Sequence, residues 1–274
     1  MATLKEITIA GLASLRNNGV QQVPLDEEAR GILREWVGGG ARPRQVQAEC
    51  QSQQAEPKAA LRETPQTVEE KLAYLRARAE NWTAARRLGS LRETMVFAVG
   101  NPHAKLMLVG EAPGYDEERL REPFVGKAGQ KLNSILKAMG LSREEIYISN
   151  ICKFRPSMGE RQGTANRAPT EEEIAACLPL ILAEIRAIQP ACIVCLGATA
   201  ARGLLGGAAS VSSLRGQWFD CQGAPVRVTY HPSYLLRNEA LSARRAVWED
   251  MLAVMERLDM PISAKQRGYF LQQR

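Results

Sequence analysis

After Met95 the apolar positions fall into two alternating patterns. Short apolar runs at 106–109, 146–149, 192–196 and 226–230 read as strands, the first of them buried. Between them lie stretches with helical spacing. One covers about 130–139 and is stopped by Gly140; a second opens at Thr170, with Glu173 placed for a capping box, and runs to Ile188, before Pro190. Two more cover 198–205 and about 244–258. Strand–helix alternation of this kind predicts an α/β fold, a three-layer α/β/α sandwich around a central, mostly parallel sheet. Upstream, Leu72, Leu75 and Trp82 recur among Arg and Glu and predict one amphipathic helix from Val68 to about Leu88.

Residues 1–65 have a different texture. Gly38-Gly39-Gly40, Arg42-Pro43-Arg44 and a Gln-rich stretch to Pro57 carry too little apolar periodicity to pack by themselves. They predict a partly flexible N-terminal extension, with one short helix over 26–36 whose apolar positions are Leu25, Ile32, Leu33 and Trp36. The chain thus divides into an extension (1–65), a main domain (66–260) and a C-terminal tail (261–274).

No apolar run approaches the roughly 20 residues of a membrane span, and Met1-Ala2-Thr3-Leu4-Lys5 opens no signal peptide. The expected location is the cytoplasm, with no membrane partner, and the expected state is a monomer. A net charge of +6 suits a polyanionic partner, and suits an ordinary basic cytosolic protein equally well. Six cysteines without secretion argue against disulfides. Cys192 and Cys195 have CxxC spacing but fall inside a strand, where residues three apart face opposite sides, so they read as buried structural thiols.

Two polar loops follow these strands. Gly110-Glu111-Ala112-Pro113-Gly114 succeeds Leu106-Met107-Leu108-Val109, and His231-Pro232-Ser233-Tyr234-Leu235-Leu236-Arg237 succeeds Val226-Arg227-Val228-Thr229-Tyr230. Open α/β sheets keep ligands just past the carboxyl ends of their strands, so a carboxylate and an imidazole placed there can act on one small target.

The first loop, with Pro123-Phe124-Val125-Gly126-Lys127-Ala128-Gly129, resembles the first motif of family 4 uracil-DNA glycosylases. Ile148-Ser149-Asn150 with Lys153 and Arg155-Pro156, then Asn166-Arg167-Ala168-Pro169, Arg215-Gly216 and His231–Arg237 follow in the family's order, so the likeness covers about residues 80–252. The resemblance implies that family's fold and a monofunctional, metal-free excision of uracil from DNA that initiates base excision repair. Glu111 would stabilise the cation-like sugar and orient the attacking water. His231, as a neutral imidazole, would donate a hydrogen bond to uracil O2 as charge gathers there. The Asn150 amide would donate to O4 and accept from N3–H, a pattern that cytosine reverses. Phe124, expected on an exposed loop, would stack on the base, while Gly110, Ala112 and Gly114 bring backbone close to it.

Extrusion of a base leaves a hole, and Leu235 or Leu236 is the expected apolar wedge. Lys127, Lys153, Arg155, Arg167 and Arg237 are expected to pair with phosphates. Two other readings stay open: a DNA-binding, damage-sensing protein of the same fold with reduced catalysis, and a glycosylase for another deaminated base such as hypoxanthine or xanthine.

The chain departs from the resemblance at the four-cysteine iron–sulfur cluster most family 4 members carry. The region expected to hold the first two ligands reads Trp82-Thr83-Ala84-Ala85-Arg86-Arg87, and Phe154 stands at the third; only Cys177 matches. One thiolate cannot hold such a cluster, so no cofactor and no metal is expected. Cys152, one position from the third site, is expected to point the other way along an extended segment. The loop at 157–165 is longer than usual and has no histidine, so the covalent DNA capture of a related branch is not expected.

Overall fold

The computed structural model describes residues 65–271, which lie within one compact unit, Arg62–Arg274. The extension up to residue 64, including the helix expected over 26–36, and residues 272–274 lie outside the described residues.

In chain order the elements are α1 (Val68–Glu80), α2 (Thr83–Arg87), β1 (Leu91–Met95), β2 (Ala98–Gly100), β3 (Leu106–Gly110), α3 (Tyr115–Leu120), α4 (Lys127–Met139), β4 (Tyr147–Asn150), β5 (Phe154–Pro156), α5 (Glu171–Ile188), β6 (Cys192–Leu196), α6 (Ala198–Leu205), α7 (Val211–Leu214), β7 (Trp218–Cys221), β8 (Ala224–Thr229), α8 (Tyr234–Arg237), α9 (Leu241–Arg257) and α10 (Ala264–Arg267). Six strands form one sheet in the order β2-β4-β3-β6-β8-β7. The inner four are mutually parallel, and β2 and β7 close the edges antiparallel. β1 and β5 pair separately as an antiparallel ribbon.

Alternation along the strands divides the core. Met107, Val109, Ile193, Cys195, Val226 and Val228 face α1, α5 and α6. Leu106, Leu108, Ile148, Cys192 and Val194 face α4 and α9, against Leu132, Leu136, Trp248 and Met251. The expected three-layer α/β/α arrangement is therefore present, and Cys192 and Cys195 sit buried on opposite faces of the sheet.

The helix expected from Val68 to Leu88 is two helices. Asn81 ends α1 and Trp82 turns extended, because its indole N–H reaches the Ala176 carbonyl of α5 at 2.6 Å. The stretch after β4, expected as loop, contains β5, and the glycine-rich stretch after β3 contains α3. α5 begins as its sequence implies, with Thr170 and Glu173 in a reciprocal capping box. From Met260 on the chain stays on the body: Met260, Ile262 and Tyr269 pack on the α4–α9 cluster, and the Trp248 indole donates to the Gln266 carbonyl at 2.6 Å.

Candidate active site

Strand register assembles the site. Gly110 stands opposite Asn150 and Leu196 opposite Thr229, so the residues after β3, β4, β6 and β8 emerge along one edge of the sheet. The β3–β4 pairing continues beyond the strands: Ile151 N–H donates to the Gly110 carbonyl and Cys152 N–H to the Glu111 carbonyl, each at 3.0 Å. Glu111 is thereby fixed next to Asn150. A cavity of about 610 Å³ opens at this edge, lined by Glu111, Phe124, Asn150, Thr199, His231 and Arg237 among others.

Asn150 is 2% exposed, and its Oδ1 is buried with no hydrogen-bond partner among the described residues. A lone buried amide oxygen costs roughly 1–3 kcal/mol unless a donor arrives. Gly110 is required beside it: a Cβ there would lie 2.3 Å from Asn150 Oδ1 and 2.4 Å from Phe124 Cζ. Phe124 is not exposed as the flanking glycines suggest. It is buried, in a left-handed backbone conformation (φ 56°), with its ring centroid 5.7 Å from that of His231. The carboxylate of Glu117 holds this turn, accepting N–H bonds from Gly114, Val125 and Gly126 at 3.1, 3.0 and 2.9 Å. Glu111 itself accepts a 2.6 Å hydrogen bond from the Thr199 hydroxyl on Oε2.

The tautomer of His231 follows from its neighbours. Ser233 N–H donates to Nδ1 at 3.2 Å and the Ser233 hydroxyl lies 2.8 Å from the same atom, so the ring proton sits on Nε2. Burial, and secondarily the charge of Arg237, push the imidazole pKa down to about 4. The ring is a neutral N–H donor throughout the physiological range. The linked stability has a definite sign: the unfolded chain takes up this proton near pH 6.5 and the folded chain only near 4, so stability present above pH 6.5 is lost as pH falls through about 4. We expect the melting temperature of the wild type to drop more between pH 7.5 and 5 than that of His231→Gln. Parallel melting curves for the two proteins would contradict the depressed pKa.

Three cations expected at phosphates are committed elsewhere. Lys153 is fully buried, with Nζ 2.5 Å from Glu184 Oε1 and 3.0 Å from the Asn150 carbonyl. Arg155, 1% exposed, binds Glu118, the Asn166 Oδ1 and the carbonyls of Gly163 and Ala165. Arg167 spends its five N–H groups on Glu173 and on the carbonyls of Ser157, Ser90 and Ala168. The phosphate expectation for these three is corrected: their charges are already met by carboxylates of the protein, Lys153 by Glu184 and Arg155 by Glu118 in the buried interior, and Arg167 by Glu173. Lys127 at the start of α4 and Arg237 at the end of α8 are exposed. Of the two leucines, Leu235 is buried against Ala243 and Val247, and Leu236 is 42% exposed, so Leu236 is the one that stands at the surface.

Cys152 also departs from expectation. The chain bends at Ile151 and Lys153 instead of running extended, and the Cys152 and Cys177 thiols meet in the core. The Cys152 thiol donates to the Glu173 carbonyl at 3.7 Å. Interaction with the Cys177 thiol, more than burial, raises the Cys152 pKa, and it lowers that of Cys177.

The sequence assigns no role to Thr199, Ser233, Glu117 or Asn166, although Asn166 and Ser233 fall inside quoted motifs; all four line the cavity, and Glu117 and Ser233 also brace its loops. A signal existed for Thr199, since Gly197-Ala198-Thr199 follows β6 at the same sheet edge that drew attention to Glu111 and His231.

A family profile described as "Uracil DNA glycosylase superfamily" matches residues 97–252. The chain is similar to the type-4 uracil-DNA glycosylase of Thermotoga maritima, 43% identical over 162 residues, which are 58% of this chain and 81% of that protein. It is similar to the type-4 enzymes of Archaeoglobus fulgidus (38% over 162 residues; 56% and 78%) and Pyrobaculum aerophilum (35% over 162 residues; 56% and 79%).

Proposed function

The chain belongs to the uracil-DNA glycosylase superfamily, and from that membership we propose that it hydrolyses the N-glycosidic bond of a uracil flipped out of DNA, releasing free uracil and an abasic site. The observation that carries the assignment is the lone Oδ1 of Asn150, buried in a cavity that also holds a carboxylate and a neutral imidazole. Uracil N3–H supplies the donor that oxygen lacks, and the amide N–H meets O4. Cytosine, with an acceptor at N3 and a donor at C4, would leave both ends of the buried amide opposed.

The chemistry follows from the same groups. As the C1′–N1 bond breaks, its electron pair passes into the pyrimidine ring and charge gathers on O2. The Nε2–H of His231 is a pre-oriented donor for that oxygen. The sugar becomes cation-like, and the Glu111 carboxylate opposes that positive charge and accepts a proton from the water that adds to C1′. Phe124 packs against the base, with Gly110, Ala112 and Gly114 giving it room. Lys127 and Arg237 pair with phosphates, and Leu236 fills the vacated stack. Lys153, held by Glu184, is no amine for a lyase step.

A four-cysteine cluster does not fit the donor set. At the place of the third ligand the Phe154 ring is buried beneath the Arg86 guanidinium, 4.7 Å from the ring centroid. Trp82 is anchored to Ala176, and Cys152 and Cys177 are the thiols at hand. We therefore read excision as needing no cluster, in a monomer acting in the cytoplasm. Among the described residues no helix is long and apolar enough to cross a membrane.

The test is a panel of oligonucleotides carrying uracil, hypoxanthine, xanthine or a T·G pair, single-stranded and opposite each base. Free base from uracil substrates is the expected product. Binding without release would favour the damage-sensing alternative, and release of a purine instead of uracil would reassign the substrate. Leu236→Ala is expected to slow excision from duplex about tenfold, since filling the hole offsets part of the few kcal/mol of unstacking. Its rate on single strands should stay near wild type; an equal loss on both would remove the wedge role.

A further inference from the structure

Within the glycosylase reading, on which this inference rests, we propose that Thr199 is the positioning residue that aims the Glu111 carboxylate. Thr199 is 5% exposed and sits in the first turn of α6. Its hydroxyl donates to Glu111 Oε2 at 2.6 Å.

The geometry around this bond is rigid. Gly197, which caps α6 with φ 96°, donates its N–H to the Thr229 carbonyl at 2.9 Å, so the start of the helix is stitched to the end of β8. A Cβ on Gly197 would stand 3.0 Å from the His231 Cβ. The segment 197–199 thus touches His231 at one end and Glu111 at the other, and its position is set by the β6–β8 ladder rather than by a loop.

A glutamate side chain has three rotatable bonds and, unheld, samples many carboxylate positions. The Thr199 bond removes that freedom and occupies Oε2. Oε1 is left as the oxygen that receives the proton of the attacking water. Without the hydroxyl the carboxylate remains, but it spends much of its time away from the productive geometry, and misplacement on the order of 1 Å costs up to about a hundredfold in rate. Because Thr199 acts through Glu111 and not on the base, its loss should appear in turnover and leave substrate binding alone.

The experiment compares wild type, Thr199→Val and Thr199→Ser on a single-stranded uracil oligonucleotide, by single-turnover rate and by steady-state KM. Val keeps the shape and removes the donor; Ser keeps the donor. The expected result for Thr199→Val is a tenfold to hundredfold fall in rate, by the same ~1 Å misplacement argument, with KM within about twofold of wild type. Thr199→Ser should recover most of the rate. Equal rates for Thr199→Val and wild type overturn the proposal, as does a loss carried by KM, or a Ser variant as slow as the Val variant. If Val lowers the melting temperature below the assay range, Thr199→Ala against Thr199→Ser makes the same comparison. A wild type that releases no uracil would defeat the glycosylase reading itself, an outcome distinct from an active wild type indifferent to residue 199.

Discussion

Replacing Glu111 by Gln should lower the single-turnover rate of uracil release by about two to four orders of magnitude, the range a positioned acid–base group contributes. Gln is nearly isosteric, and its carbonyl oxygen can still accept from the Thr199 hydroxyl, so the loop between β3 and α3 need not move. What disappears is the negative charge opposite the developing sugar cation and the acceptor for the water proton. In a cavity walled by low-dielectric protein those two losses are not made good by solvent. Affinity for uracil-containing DNA should not fall, because removing an anion cannot weaken attraction to phosphates. The measurement is therefore a pair: rate and dissociation constant at fixed salt. A variant within threefold of wild-type rate would show that the carboxylate is not the group that matters, and loss of binding alongside rate would point to a disturbed loop instead.

The part of this site that the sequence makes legible is the part that depends on one rule. Residues just past the carboxyl ends of parallel strands face ligands, and that rule reaches Glu111, Asn150 and His231, which the register of β3, β4 and β8 does bring to one edge. Long helices were legible for a similar reason: periodicity and caps are local, as at Thr170 and Glu173. What stayed hidden depends on partners distant in sequence. A lysine or arginine reads as a solvated charge until its carboxylate is found, and Glu184 for Lys153 and Glu118 for Arg155 lie 31 and 37 positions away. β5 was invisible because Phe154-Arg155-Pro156 has no alternating pattern; it forms because β1 supplies the ladder and Glu118 neutralises the buried guanidinium. The flanking glycines point Phe124 to the surface, since nothing local reports that Glu117 folds its turn inward. The same limit applies to Cys152, whose direction is set by two bends and not by strand alternation.

Asn150→Asp should reduce kcat/KM for uracil by about two to three orders of magnitude, with a residual activity that rises as pH falls. An ionised carboxylate only accepts hydrogen bonds, so it would face uracil O4 with an oxygen where the amide has N–H. Two acceptors opposed in a buried site cost far more than a missing bond in water. Protonation restores a donor and an acceptor on the same group, which again matches O4 and N3–H, and burial favours that neutral form. Residual excision should therefore grow toward acid, whereas wild type, whose amide does not titrate, shows no such gain. The neutral acid also presents a donor to cytosine N3 and an acceptor to its amino group, so the preference for uracil over cytosine should shrink as well. Position 150 is backed by Lys153 through its own carbonyl, and that contact is untouched by the side-chain change; the buried carboxyl itself should lower the melting temperature, more at pH 8, where it must ionise, than toward acid. If the variant excised uracil at the wild-type rate at pH 8, the buried amide oxygen would have to be satisfied by something other than the base, and the recognition scheme built on it would fail.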